Sequence, residues 1–138
     1  MRAVVQRVSS AAVSVDGKEV SRIGEGMAVL LGITHSDGSA DAEKMAARLR
    51  KVRIFEDADG RTNDALGDRE ILCVSQFTLY ADTSSGNRPG FKDAAPGDLA
   101  EPLYDEVCDL LGAKKGVFGA DMNVEIAGNG PFTVLIEV

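Results

Sequence analysis

The chain has 138 residues, a single domain's length, and its 44% hydrophobic and 27% charged content is that of an ordinary globular protein, which excludes a disordered or fibrous chain. Fifteen Lys and Arg against 22 Asp and Glu leave a net charge of −7, which argues against coating nucleic acid non-specifically or lying on an anionic membrane, since either needs a basic face. The start, Met1 to Arg7, has no apolar run before a small-residue cleavage site, and the longest apolar stretch, Met27 to Leu31, is far below the roughly 20 residues of a bilayer span, so the expectation is a soluble, cytoplasmic single domain over residues 1–138 with no membrane partner.

Taken in order, Val4, Gln6 and Val8 alternate with Val5, Arg7 and Ser9, and Val13-Ser14-Val15 runs into Asp16-Gly17, the mark of a two-residue hairpin turn. The return strand, Lys18 to Ile23, ends at Gly24-Glu25-Gly26, read as a further hairpin turn. Met27 to Ile33 is apolar on both faces, which predicts a central strand. The period then changes. Ala42, Met45, Ala46, Leu49 and Val52 make one apolar stripe, with Ser39 as cap, Asp41 and Glu43 in the first turn, and Arg48, Arg50, Lys51 and Arg53 crowding the far end, so a helix is predicted over 40–52.

Ile54-Phe55 reads as a short strand, Asp57-Ala58-Asp59-Gly60 as a turn, and Glu70 to Leu79 as a strong strand. Residues 81–96 hold Asp, Ser, Gly, Asn and Pro without periodicity, a long loop of a size more often functional than idle. A second helix is predicted over 98–111, with Leu99, Leu103, Val107, Leu110 and Leu111 inward and Pro102 near the first turn. Val117-Phe118, Met122 to Ile126, and Phe132 to Val138, opened by Gly130-Pro131, return to strands. Strands, helix, strand, helix, strands is no regular alternation. The fold class predicted is α+β, with mostly antiparallel or mixed sheets in a barrel- or roll-like arrangement and two principal helices packed on them.

Most catalytic constellations fail on inspection. Two cysteines and one histidine make neither a disulfide framework nor a zinc site, so no metal and no cofactor are expected. Asp57-Ala58-Asp59-Gly60 is no calcium loop, because its glycine comes at the fourth position and Arg61 stands at the fifth. Gly24-Glu25-Gly26 lacks the third glycine of a phosphate loop and precedes a strand. His35 reads as a surface turn residue, and Cys73 and Cys108 as small core side chains. An enzyme built on this chain must use backbone donors, hydroxyls or a group of the substrate itself. Three segments then stand out: Ser75-Gln76-Phe77-Thr78-Leu79-Tyr80, Gly86-Asn87-Arg88-Pro89-Gly90-Phe91, and Gly130-Pro131.

Together and in this order, these segments resemble the D-aminoacyl-tRNA deacylase family. Gln6-Arg7-Val8 and Val13-Ser14-Val15-Asp16-Gly17 look like its opening hairpin, Leu30-Leu31-Gly32 like its central strand, and Arg53-Ile54-Phe55-Glu56-Asp57 with Asn63 like its mid-chain segment. Ser75-Gln76-Phe77-Thr78-Leu79-Tyr80 matches its first active-site motif; Asn87-Arg88-Pro89, Leu103-Tyr104 and Phe118-Gly119-Ala120-Asp121-Met122 also fit, and Asn129-Gly130-Pro131-Phe132-Thr133 resembles the second signature. The departures are Gly128-Asn129 where the family more often has Asn-Asp, Phe132 where Val is commoner, and Gly90 where Ser is.

The resemblance implies hydrolysis of the ester joining a D-amino acid, or mischarged glycine, to the 3′-terminal ribose of tRNA. It also implies a homodimer with its sites at the interface, each site receiving the partner's Gly-Pro element. Ser75, Gln76, Phe77 and Thr78 are then the catalytic segment, Gly130, Pro131, Arg7 and Arg88 the substrate-binding residues, and the Gly130–Pro131 bond is cis. Chirality follows by clash: with the ammonium and ester held, a D side chain points to open space and an L side chain meets backbone. Amides of the 75–78 turn are the expected oxyanion donors. The attacking group is either the Thr78 hydroxyl or water oriented by the substrate's 2′-hydroxyl, and the lack of an activating residue favours the second. Arg7 is expected to brace the Gly-Pro element, and Arg88 and Lys92 to supply local cations. Two other readings compete: a catalytically silent module that grips a nucleic-acid end or a protein, and a relative with relaxed chirality and a trans bond before Pro131.

Overall fold

In the computed structural model, which describes all of residues 1–138, eight strands and two helices follow one another as β1 (Arg2–Val15), β2 (Lys18–Ile23), β3 (Gly26–Gly32), α1 (Ser39–Lys51), β4 (Phe55–Glu56), β5 (Thr62–Asp64), β6 (Glu70–Ser75), α2 (Gly97–Leu111), β7 (Lys114–Lys115) and β8 (Asn123–Glu137). β1 is the spine of the sheet. β8 runs antiparallel along it from Arg2 to Ser14, while β3 pairs with Arg2–Val8 and β2 with Ala11–Val15. β6 lies parallel to β3, and β7 parallel to β6. The mixed sheet curls into a nearly closed barrel with both helices on one side, the α+β class predicted.

The physical reasons are local. Asp16 and Gly17 both have positive φ, +49° and +75°, the conformation of the two-residue turns that match strand twist. Alternation sends Ala3, Val5, Val29, Leu31, Ile71, Cys73 and Ile136 inward, against Met45 and Leu49 of α1 and Leu103, Tyr104, Val107 and Cys108 of α2. Each fully buried side chain of the size of Leu49 contributes about 1.5–3 kcal/mol. A smaller cluster, Val8, Ala11, Val13, Ile23, Ala28, Leu72 and Val74, fills the other face under Met122, Val124 and Ile126. At the foot of β3, any Cβ on Gly26 would collide with the backbone of Glu70, so only glycine permits β3 and β6 to pair there.

Several elements differ from the sequence expectations, each for a physical reason. Gly24-Glu25-Gly26 is a corner between two successive partners of β1 rather than a hairpin turn. Gly38, not Ser39, caps α1; Ser39 is the first helical residue and its hydroxyl donates to Glu106 on α2 at 2.8 Å. Leu110 faces outward, 43% exposed, because the inward stripe of α2 is completed by Tyr104 and Cys108. Val117-Phe118 is not a strand; pairing there is confined to Lys114–Lys115. Met122–Ile126 and Phe132–Val138 belong to one continuous strand, β8, so Gly130-Pro131 sits inside a strand and not at its mouth. The strand read as Glu70–Leu79 stops at Ser75 and turns into a single 3-10 helix at Phe77–Tyr80.

Candidate active site

β6 ends because the chain is caught on its neighbour. The Gln76 amide donates to Leu31 O at 2.8 Å as the last rung beside β3, after which Leu79 N donates to Gln76 O at 3.2 Å and Ala81 N to Thr78 O at 3.1 Å, closing the turn. The Gln76 side-chain amide donates to the Thr78 hydroxyl. Gly32 makes room: a Cβ there would lie 3.0 Å from both Gln76 O and the Leu79 Cβ. Arg2, from the start of β1, clamps the far side, donating to Leu79 O at 3.0 Å, stacking 4.7 Å over the Tyr80 ring and pairing with Glu137. Burial, with Asp37 adding to it, pushes the Tyr80 phenol up to about 12, so it stays neutral through the physiological range.

The turn forms one wall of a cleft of about 180 Å³, lined also by Leu31 and Ile33 of β3, Ala95, Gly97 and Ala100 around the start of α2, and Phe118-Gly119. The 81–96 loop folds over its edge. Asp82 and Gly90 exchange two backbone hydrogen bonds of 2.8 Å, Ala95 N donates to Ile33 O at 2.9 Å, the Thr34 hydroxyl donates to Asp93 O at 2.6 Å, and His35 Nε2 meets Lys92 O at 3.0 Å. Phe91 of this loop meets Phe77 edge to face, with ring centroids 5.0 Å apart. His35 is exposed and serves to tether the loop. Cys73 and Cys108 are buried behind the cleft; hydrogen bonding to Cys108 and burial push the Cys73 thiol up, away from nucleophilic use. No three His, Cys, Asp or Glu side chains gather anywhere as a metal site would require.

The second motif is built elsewhere. Gln6 pairs with Thr133 and Val8 with Gly128, so residues 129–132 bulge out of β8 opposite Arg7 alone. Within the bulge Gly130 has φ +128° and the Gly130–Pro131 peptide bond is cis. Arg7 is 8% exposed and holds the bulge from beneath: Nε donates to Asn129 O at 3.0 Å, Nη1 donates to Ile54 O at 2.9 Å, and the guanidinium lies 5.0 Å over the Phe132 ring. A Cβ on Gly130 would stand 2.8 Å from Phe132 N and 3.2 Å from Arg7 Nη2, in a backbone region that L side chains rarely adopt.

Ser75, Gln76 and Phe77 are thus brought together at the cleft, with Thr78 on the same turn, while Arg7, Gly130 and Pro131 form a separate group. One chain does not unite them: β1 and β3 stand between β8 and β6 in the sheet, and no residue of β8 lines the cleft. Arg88 lies exposed in the loop, outside the cleft wall, and Lys92 reaches Asp82 at 3.6 Å. Sequence reasoning missed Arg2 and Gly32, which shape the turn. Strand alternation carries no sign of either role, because both act through a contact between strands far apart in sequence. A wider groove of about 680 Å³ between α1 and the end of β8, bordered by Lys44, Arg48 and Lys51, holds none of the expected site residues.

Known proteins share this chain from end to end. The family described as D-Tyr-tRNA(Tyr) deacylase matches residues 4–137. The chain is 50% identical over 144 residues to the D-aminoacyl-tRNA deacylase of Anaeromyxobacter dehalogenans (strain 2CP-C), covering 99% of this chain and 97% of the other. It is 51% identical to the D-aminoacyl-tRNA deacylase of Thermobifida fusca (strain YX) over the full length of both. A solved structure described as c-Myc DNA Unwinding Element Binding Protein superposes with a TM-score of 0.95 at 40% identity, covering 100% of this chain and 99% of that one.

Proposed function

The chain belongs to the D-aminoacyl-tRNA deacylase family, hydrolases of tRNA proofreading, and from that premise we propose that it cleaves D-aminoacyl and glycyl esters in a site completed by a second copy of itself. The observation that carries the proposal is the separation within one chain of two prebuilt halves: the Ser75–Thr78 turn at its cleft, and the Arg7-braced Gly130-Pro131 bulge on an exposed strand. Each half lacks what the other offers. The bulge is held by Arg7 yet faces solvent, and the cleft lining carries no carboxylate to meet an ammonium. A homodimer in which each bulge enters the partner's cleft resolves both.

In that site the ester carbonyl lies against the first amides of the 3-10 turn, Phe77 N–H and Thr78 N–H, which have no acceptor within the turn. Each good oxyanion donor supplies about 3–4 kcal/mol of transition-state stabilisation. Carbonyl oxygens of the Gly130-Pro131 element accept from the α-ammonium. With ammonium and ester fixed, an L side chain runs into backbone, a D side chain faces open space and glycine offends nowhere. The Thr78 hydroxyl oxygen accepts a hydrogen bond from the Gln76 side-chain amide and has no base beside it, so it is a poor nucleophile. Water, oriented by the 2′-hydroxyl of the terminal ribose, adds to the carbonyl carbon; the ester C–O bond breaks and the 3′-oxygen leaves with a proton.

Subunit mixing tests the shared site. Ser75→Leu fills the cleft and Gly130→Val displaces the bulge, so each homodimer is expected to lose D-ester hydrolysis. After subunit exchange, verified by mass-tagged heterodimers, activity returns, because one of the two sites in each heterodimer carries neither lesion. Heterodimers without recovered activity would place both halves of the site within one chain.

A further inference from the structure

Of the seven aromatic side chains, only Phe77 and Phe91 stand largely open to solvent, 57% and 40% exposed. They touch each other at an interplanar angle of 69° on the lip of the cleft that holds Ser75 and Gln76. Paired exposed rings at a cleft mouth mark a surface that waits for an occupant. Their surroundings say which kind. Arg88, three residues before Phe91, is exposed and enters no ion pair, and Lys92, immediately after, is 73% exposed and reaches Asp82 only at 3.6 Å. An apolar protein partner would be met by more aliphatic side chains, whereas the loop around Phe91 offers Ser84, Ser85, Asn87 and these two cations beside Asp82 and Asp93. Rings flanked by cations are how proteins hold unpaired nucleotides, a base stacking on the ring while the cation neutralises its phosphate.

Given aminoacyl-tRNA as substrate, on which this step rests, we propose that Phe91, supported by Phe77, is a stacking platform for the unpaired base that precedes the esterified 3′ residue of the tRNA, with Arg88 and Lys92 near its phosphate. Phe77 lines the cleft, whereas Phe91 lies outside its lining with its ring centroid 5.0 Å from that of Phe77. Because Phe91 is outside the cleft that holds the ester, its face is available to the base before the esterified residue and not to that residue itself.

The test compares D-tyrosyl-tRNA with D-tyrosyl-adenosine, which carries the ester but no preceding nucleotide. For Phe91→Ala the ratio of kcat/KM on the tRNA to kcat/KM on the nucleoside ester is expected to fall about tenfold, through KM on the tRNA. Phe91→Leu, which keeps apolar volume without an aromatic face, loses the ratio similarly, and Phe91→Trp restores it. Thermal melting and light scattering on each variant show an unchanged fold and oligomer. An unchanged ratio, an equal loss on both substrates, full rescue by Leu, or dissociation of the oligomer would overturn the platform. A native protein inert on both substrates would instead overturn the substrate assignment beneath it.

Discussion

At the residue scale the account rests on Arg7 and Thr78. Arg7 is a nearly buried cation whose Nε and Nη1 donate to two backbone carbonyls, Asn129 O and Ile54 O, and whose face covers Phe132. It holds the bulge by contacts that lysine, with one compact ammonium, cannot duplicate. Arg7→Ala should therefore lower the D-over-L rate ratio by at least an order of magnitude, given about 1.5–3 kcal/mol for each hydrogen bond from a charged donor, and Arg7→Lys should recover little of it. Selectivity unchanged by either variant would refute the bracing role. Thr78→Ala, by contrast, should retain measurable hydrolysis, since the backbone amides remain; complete loss together with a trapped acyl-enzyme in the native protein would make Thr78 the nucleophile.

At the element scale, what decides the site is where strands stop and bulge, and this is also where the sequence was least legible. Alternation and β-branched residues correctly indicate β1, β2 and β3, and the helical stripe correctly places α1 and α2, because those patterns record which face is buried. The same pattern misleads at Phe77–Tyr80, where Leu79 and Tyr80 alternate as a strand would but the chain is diverted by the Gln76–Leu31 hydrogen bond and by Arg2. It misleads again at Gly128–Phe132, where glycine and proline suggest a break yet β1 carries the pairing through on both sides of the bulge. The chemistry-bearing residues were legible as motifs, and the resemblance already implied a site shared between two copies; what alternation could not give is that β1 and β3 separate the Gly130-Pro131 bulge from the cleft within one chain, because that depends on the sheet order. Two substitutions test these contacts. Gly32→Ala puts a methyl 3.0 Å from Gln76 O, so kcat should fall severalfold while the melting curve barely moves; equal falls in both would mean the turn is not specifically seated on β3. Tyr104→Phe removes the buried hydrogen bond of 2.9 Å to Cys73 O that ties α2 to β6, and since Gly116 N still serves that carbonyl, denaturant unfolding should register only about 0.5–1.5 kcal/mol.

At the scale of the whole molecule, a chain of net charge −7 offers a polyanion few cations. If, as proposed, Arg88 and Lys92 alone meet the phosphate, the slope of log KM against log salt should have a magnitude of at most about 1.4, taking roughly 0.7 per single-strand phosphate contact; a slope several times steeper would mean that the tRNA body is held elsewhere. No segment of the Ser75–Thr78 turn titrates, and Tyr80, at about 12, stays neutral, so between about pH 6 and 9 kcat/KM should show only the alkaline fall of the substrate's own α-ammonium, with no acid limb. An acid limb, completing a bell, would reveal a titrating enzyme group that the cleft does not contain. Stability has its own limits. Hydrogen bonding to Lys114 and to the Gly24 amide holds the Glu70 carboxyl below its usual 4.5, so its contribution is complete above that value and fades as pH falls through the lowered one, as thermal melting in acid should record.

The most direct test of the central claim is the release of amino acid from D-Tyr-tRNA and L-Tyr-tRNA at matched concentration under single-turnover excess of enzyme. Rapid release from the D ester with the L ester left intact is the predicted result. Release from neither, or from both alike, would contradict it.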